Sequence, residues 1–102
     1  MSTTTKNSTD QTLRDAIKCW GKETQVDKAI EEMAELTKAL IKYRHKEPSA
    51  ELYSNVCNEI ADVENLMQQL RFIFDPDDIL VTKMKNLKIR RLRKIIDEGG
   101  KF

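Results

Sequence analysis

The sequence predicts an all-α fold, a four-helix bundle built around an antiparallel hairpin of two central helices. Apolar residues recur along it at helical spacing, and no segment alternates apolar and polar residues with period two. Its 102 residues contain only 3 Gly and 2 Pro, so few breaks are expected. The length fits one domain, and a domain this small is expected to be completed by self-association.

The predicted domain covers residues 10–98. Residues 1–9 are rich in Ser, Thr and Asn and have almost nothing to bury, so they are expected to form a disordered tail. Helix 1 is predicted from Asp10 to Trp20, where Gly21 ends it, because glycine is common just past a helix end. Residues 99–102 form the C-terminal tail.

Two longer helices follow. Helix 2 is predicted to begin near Thr24, a residue type that caps helix N-termini, and to reach His45. The Glu47-Pro48-Ser49 segment separates it from the next helix, since proline disfavours helical backbone in the residue before it. Helix 3 is predicted from Ser49 to Phe74. Its predicted buried stripe consists of Leu52, Val56, Ile60, Val63, Met67 and Leu70.

The last helix is predicted to begin in the Asp75-Pro76-Asp77-Asp78 segment and to end near Glu98. An acidic first turn suits the positive end of the helix dipole, and proline is tolerated at the first helical position. The helix is strongly basic, and most of its cations are expected to form a solvated face. We expect one or two of them, with Lys83 and Arg90 the leading candidates, to contact phosphate.

Four carboxylates on helices 2 and 3 carry the predicted chemistry. Glu32 with Glu35, and Glu59 with Asp62, are three residues apart and so share a helix face. In the sequence, Glu35 and Glu59 lie the same number of residues from Glu47, one on each side. Glu32 and Asp62 also lie at equal sequence separations from Glu47, a few residues further out. An antiparallel hairpin that turns at Glu47 therefore brings the two pairs together.

Converging carboxylates next to apolar residues require a counter-charge. A hard divalent cation supplies it through oxygen ligands, with Mg²⁺ the default and Mn²⁺ a substitute. The alternative is an ordinary solvated acidic face, since Glu is a good helix former. Glu31 is either a residue that orients water or ligand, or a solvated side chain paired with Lys28.

The segments Glu31-Glu32-Met33-Ala34-Glu35 and Glu59-Ile60-Ala61-Asp62 resemble the EExxE…ExxD signature of the all-α nucleoside triphosphate pyrophosphohydrolases. The stretch from Trp20 to Gln25 is most similar to that of short, phage-type MazG-like members. The resemblance covers about residues 17 to 96. It implies a MazG-like bundle, assembly as a homodimer or homotetramer, and a hydrolase that cleaves a nucleoside triphosphate to the monophosphate and pyrophosphate. A house-cleaning role in the nucleotide pool would follow.

The resemblance also implies roles for individual residues. The metal ligands would be Glu32, Glu35, Glu59 and Asp62. Separately from the resemblance, the chemistry of metal-assisted hydrolysis requires a proton acceptor, and one carboxylate, Glu35 or Glu59 with Glu31 in reserve, could accept the proton from the attacking water. Many members carry Lys, Asn and Arg on the last helix, a pattern that Lys83, Asn86 and Arg90 match loosely.

The base pocket is predicted from residue chemistry. Trp20 could stack on a base, and Gln25 could read a base edge with its carboxamide. Trp20 could equally be a core residue at the end of helix 1. Neither residue identifies the base or the sugar.

The other class of function is a non-enzymatic helical adaptor, or a regulator that binds nucleic acid through the basic last helix. The net charge of +1 argues against a nucleic-acid partner, and an adaptor leaves the facing carboxylates unexplained. A di-iron bundle would need Glu-x-x-His motifs, which the sequence lacks. No signal peptide or apolar run long enough to cross a bilayer is present, so we expect a cytoplasmic protein without a membrane partner.

Overall fold

Four α-helices make up most of the chain. The computed structural model describes residues 2–101, with side chains described for residues 8–101. The helices are α1 (Ser2–Trp20), α2 (Lys22–His45), α3 (Ala50–Phe74) and α4 (Leu80–Asp97), and residues 2–101 contain no strand. The predicted all-α class is confirmed. Within this described range, the helices are all too short or too polar to cross a membrane.

Helix α1 begins earlier than the sequence predicts. It starts at Ser2 rather than Asp10 and so takes in most of the segment expected to be a disordered tail. No Gly or Pro interrupts this stretch, and Ser, Thr and Asn disfavour a helix only mildly. The Thr12 hydroxyl donates to the Ser8 carbonyl at 2.9 Å, a bond that such residues make inside helices.

The junction between α1 and α2 is a single residue. Gly21 adopts φ 91°, a conformation that strongly favours glycine, and it is the N-cap of α2. Helix α2 therefore begins at Lys22, two residues before the predicted cap at Thr24. The reason is that the chain turns at a single glycine, so no further residue is needed before the next helix starts.

Helices α2 and α3 form the predicted antiparallel hairpin and pack along each other. As predicted, the helical structure is interrupted around Pro48. Ser49 caps α3, and its hydroxyl accepts a hydrogen bond from the Leu52 N–H at 3.1 Å. Helix α1 packs against both helices of this hairpin, and Arg14 of α1 stacks on the Phe72 ring at 3.8 Å from its centroid.

The segment between α3 and α4 differs from the prediction. Residues 75–79 form a turn, and α4 begins at Leu80 rather than within the Asp-Pro-Asp-Asp sequence. The carboxylate of Asp75 still acts at the start of α4, because it accepts hydrogen bonds from the N–H groups of Leu80 (3.2 Å) and Val81 (2.9 Å). These bonds, the one from Val81 above all, hold the pKa of Asp75 below its ordinary value.

The core of the single chain is thin. The buried residues among those described are Gln25, Ala29, Ala39 and Gln69. Ile60 and Met67, which the sequence places in a buried stripe, are 41% and 45% exposed. Helix α4 does not pack lengthwise on any other helix. The radius of gyration is 16.9 Å, whereas a compact domain of this length has one of about 13 Å.

Candidate metal centre and adjoining cleft

Three of the four predicted metal ligands lie together. One carboxylate oxygen from each of Glu32, Glu59 and Asp62 lies within 4.8 Å of the other two. Helix α2 supplies the first, and α3 supplies the other two from adjacent turns of one face. The hairpin register that the Pro48 turn sets is what brings them together. We call these three residues the acidic triad.

One oxygen of the Glu59 carboxylate lacks a hydrogen-bond partner within residues 8–101. Its Oε2 is buried and has no hydrogen-bond partner within the described part of the chain. A buried oxygen in this state costs about 1–3 kcal/mol, and more when it is charged. A bound cation would remove that cost, so the triad fits a metal by donor chemistry and by this unpartnered atom. Its ligands are all hard oxygens, the type that Mg²⁺ and Mn²⁺ prefer.

Lys28 supplies the nearest positive charge. Its Nζ lies 3.3 Å from Glu32 and 3.5 Å from Glu31, and the Glu32 side chain is only 13% exposed. The hydrogen bond to Glu32 and the negative charges of both glutamates raise the pKa of Lys28 above its usual value. Among residues 8–101, no ion pair reaches Glu59 or Asp62. One shared cation therefore offsets only part of the charge of the triad.

Glu35 and Glu31 lie outside the triad. The Glu35 carboxylate is 3.8 Å from Lys38 Nζ, so it is engaged along its own helix. Glu31 pairs with Lys28, as one of its two interpretations predicts, and its side chain is 63% exposed. It also lines the cleft next to the triad. The catalytic roles predicted for both residues remain predictions.

A cleft of about 600 Å³ lies between α1, α2 and α3; no residue of the triad lines it, and the link between the two is Lys28, which lines the cleft and pairs with Glu32. This volume lies in the range of small-molecule sites. Trp20 and Gln25, the predicted base-pocket residues, both line it, as do Lys28 and Glu31. Lys28 thus touches the cleft and contacts the triad through Glu32. A ligand with an aromatic ring in this cleft could extend charged groups toward the triad.

The predicted phosphate-binding residues of α4 lie apart from this region. Lys83, Asn86 and Arg90 are exposed, and their side chains make no hydrogen bond or ion pair within residues 8–101. The cause is the placement of α4, which packs against no other helix along its length. Their predicted contact with substrate remains a prediction.

Gln69 is a site residue that sequence reasoning missed. It is 2% exposed, lines the cleft and bonds to Gln25 across the α2–α3 interface. The sequence does carry a signal for it, because Gln69 lies one turn beyond Leu66 on the helix face that also holds Asp62. A polar residue on an otherwise inward face is a candidate for such a role.

Comparisons with models of protein families, with curated proteins and with solved structures found no match to this chain. The chemistry of the site therefore rests on its own geometry: a carboxylate triad with an unpartnered buried oxygen, and a cleft next to it.

Proposed function

We propose that the protein is a Mg²⁺-dependent nucleoside triphosphate pyrophosphohydrolase, which cleaves the α–β phosphoanhydride to give the monophosphate and pyrophosphate. The main support for this proposal is the acidic triad with the unpartnered Glu59 oxygen. The adjoining cleft supports it, since it offers room for a base and sugar beside the carboxylates. The resemblance of the two acidic segments to the pyrophosphohydrolase signature points to the same chemistry.

In this proposal Glu32, Glu59 and Asp62 hold the metal ion. When bound, Mg²⁺ would draw charge from the substrate phosphates and help to place the attacking water. Three carboxylates leave room for water and phosphate oxygens, which Mg²⁺ usually retains as ligands. Mn²⁺ could substitute, because it accepts the same oxygen donors.

The proton from water needs an acceptor near the triad. Glu35 lies one turn from Glu32 on α2 and is the first choice, with Glu59 and then Glu31 as alternatives. Glu35 would have to leave its contact with Lys38 to act in this way. Lys28 would remain charged beside Glu32 and would offset repulsion between the triad and an incoming triphosphate.

The proposal includes assembly as a homodimer or homotetramer. Lys83, Asn86 and Arg90 lie on a helix that packs lengthwise on no other helix of its own chain. In an oligomer, the apolar side of α4 could pack against a second copy of the chain. The same contact could bring these three polar side chains to a substrate phosphate. The house-cleaning role implied by the resemblance depends on which nucleotide proves to be the substrate.

The test is product analysis after incubation of a panel of nucleoside triphosphates with Mg²⁺. We expect the monophosphate and pyrophosphate to appear in equal amounts, and chelation of the metal to stop the reaction. The Glu32→Gln plus Asp62→Asn variant should lose the activity, whereas Glu64→Gln, an exposed change on α3, should retain it. Release of inorganic phosphate instead, or full activity in the double variant, would refute the assignment.

One observation favours a second candidate, a regulator that binds nucleic acid. Helix α4 packs lengthwise on no other helix and exposes seven cations: Lys83, Lys85, Lys88, Arg90, Arg91, Arg93 and Lys94. Binding through these residues would weaken steeply with salt, because phosphate contacts release counterions. Titration of labelled DNA and RNA at two salt concentrations tests this candidate, and the absence of salt-dependent binding excludes it.

A further inference from the structure

Lys28 contacts two glutamates that differ in their surroundings. Its Nζ lies 3.3 Å from Glu32 and 3.5 Å from Glu31, because both glutamates follow it at helical spacing on α2. The Glu32 side chain is largely buried and belongs to the acidic triad, whereas that of Glu31 is exposed and does not. Lys28 therefore has one contact inside the candidate metal centre and one outside it.

The positive charge of Lys28 is placed at one corner of the triad. A carboxylate oxygen from each of Glu32, Glu59 and Asp62 lies within 4.8 Å of the other two, so three negative charges crowd together. Among the described residues, no ion pair reaches Glu59 or Asp62, and the Glu59 Oε2 is buried without a hydrogen-bond partner. The triad thus keeps negative charge beyond what Lys28 offsets, and this charge would attract a second cation.

A metal ion in the triad and the Lys28 ammonium would share Glu32. A carboxylate offers about four lone-pair sites on its oxygens, so contact with lysine does not block the metal outright. Both groups are cations, however, and the 3.3 Å contact places Nζ close to the whole Glu32 carboxylate. A metal ion there would lie well within the distance of about 10 Å over which charges interact at 0.1 M salt. A Lys28 that stays on Glu32 would therefore weaken metal binding.

Glu31 gives Lys28 a partner that it can keep when a metal ion is bound. The Lys28 side chain is 49% exposed, and lysine has a flexible stem, so Nζ can shift from Glu32 toward Glu31 without movement of the backbone. The shift has a small cost, because exposed ion pairs contribute little to stability. The Lys28 charge then lies with a residue outside the triad.

We infer that Lys28 is a displaceable counter-ion of the candidate metal centre. It offsets part of the charge of the triad in the metal-free protein, yields Glu32 to an incoming cation and remains paired with Glu31. Lys28 is then a positioning residue, and its charge keeps the affinity for metal lower than the three carboxylates alone would give. This inference rests on the proposed function for the claim that the triad binds Mg²⁺ or Mn²⁺.

The experiment is a calorimetric titration of the protein with MgCl₂ and with MnCl₂, in the absence of nucleotide. We expect the Kd of Lys28→Gln for each ion to be about fivefold lower than that of the wild type, since the interaction of two unit charges about 4 Å apart in water changes an equilibrium by roughly that factor. Lys28→Arg keeps the charge and should bind no more tightly than the wild type. Unchanged or weaker binding by Lys28→Gln would overturn the inference.

Thermal unfolding without metal provides a second measurement. Lys28→Gln should have a lower melting temperature than the wild type, because repulsion within the triad is no longer offset. A residue with a structural role alone would lower the melting temperature and the metal affinity together. The inference requires the opposite signs, a lower melting temperature without metal and tighter binding of metal.

Lys38→Gln is the matched control, since it makes the same change on the same helix. Lys38 is exposed like Lys28 and pairs with Glu35, which lies outside the triad. It is also about 9 Å further along the helix axis than Glu32, at a rise of about 1.5 Å per residue. Its Kd for metal should therefore stay close to that of the wild type. Equal tightening in both lysine variants would show a general effect of net charge and would overturn the role of Lys28.

A double-mutant cycle tests the part played by Glu31. Glu31→Gln removes the alternative partner and leaves Lys28 on Glu32, so metal binding should weaken. The weakening should be smaller when Lys28→Gln is already present, because two residues that act on each other do not have additive effects. Equal weakening in both backgrounds would exclude Glu31 from the inference.

The outcomes also separate this inference from the proposed function. Tighter metal binding by Lys28→Gln, without hydrolysis of any triphosphate by the wild type, would support the counter-ion and refute the hydrolase. Metal-dependent hydrolysis by the wild type, with equal metal affinity in Lys28→Gln, would do the reverse. Absence of metal binding in both proteins would overturn both.

Discussion

If the acidic triad holds Mg²⁺ as proposed, the unpartnered Oε2 of Glu59 links the stability of the fold to metal binding. In the Glu59→Gln variant the buried charge is removed, so unfolding in the absence of metal should require at least as much free energy as in the wild type. The same change should abolish most of the stabilisation by Mg²⁺. If the wild type binds Mg²⁺ as proposed, that stabilisation would be about 2.7 kcal/mol at a metal concentration 100 times Kd. Thermal unfolding with and without Mg²⁺ measures both effects.

Glu64→Gln is the matched control for this experiment, since it makes the same chemical change on the same helix at an exposed position. Its unfolding should respond to Mg²⁺ as the wild type does. A Glu59→Gln protein that is destabilised without metal, yet retains the full metal response, would show that Glu59 has a structural role only.

Turnover distinguishes Glu35 from the other acidic residues. If Glu35 accepts the proton from water, Glu35→Gln should lower kcat by roughly two orders of magnitude or more, with little change in metal-dependent stability. The double variant with Glu59→Gln should be little worse than the more damaging single change, because residues that act as a unit are not additive. Lys42→Gln, an exposed change nearer the turn, is the control. Full turnover in Glu35→Gln would exclude it as the base.

At the scale of elements, the sequence predicts the hairpin well and the turn before α4 poorly. The Pro48 break and the equal distances of the carboxylates from Glu47 are local features, and they are sufficient to predict that Glu32 and Asp62 meet. The triad does not include Glu35, whose carboxylate lies 3.8 Å from Lys38 Nζ on its own helix. The start of α4 depends on which N–H groups the Asp75 carboxylate reaches, and this depends on the fold of the whole turn.

The lowered pKa of Asp75 predicts how this turn responds to acid. A carboxyl group whose pKa is lower in the folded state stabilises the fold at pH values above its ordinary pKa of 3.8, and that stabilisation is lost as the pH falls through the lowered value. Asp75→Asn should therefore be less stable than wild type near neutral pH, and the difference should disappear in strong acid. Urea unfolding followed by circular dichroism at several pH values measures this.

Asp77→Asn is the matched control, since Asp77 is exposed in the same turn and the carboxylate that binds the N–H groups of Leu80 and Val81 is that of Asp75. A difference in unfolding free energy between Asp75→Asn and wild type that is the same at every pH would mean that the charge of Asp75 is not needed. The hydrogen bonds to Leu80 and Val81 would then stabilise the turn whether or not the carboxyl group is ionised.

At the scale of the whole molecule, the single chain exposes too much surface. Its accessible area is 8413 Å² for 11.9 kDa, whereas a folded monomer of that mass exposes about 6,000 Å². Periodicity predicts apolar stripes on α2, α3 and α4, but it cannot say whether the same chain covers them. That depends on where α4 lies after the turn at residues 75–79, which is a tertiary property.

The excess surface predicts association through the apolar side of α4. Leu80, Met84 and Leu87 share that side, and they are 41–56% exposed. Leu87→Gln should shift the protein toward monomer and lower its melting temperature, because the lost burial weakens an interface whose formation stabilises the folded chain. Ile89→Gln is the matched control, since Ile89 is exposed but lies roughly 200° around the helix from Leu87. Light scattering at micromolar concentration measures the mass. A monomeric wild type with full activity, or equal dissociation in both variants, would show that this side of α4 is not the interface.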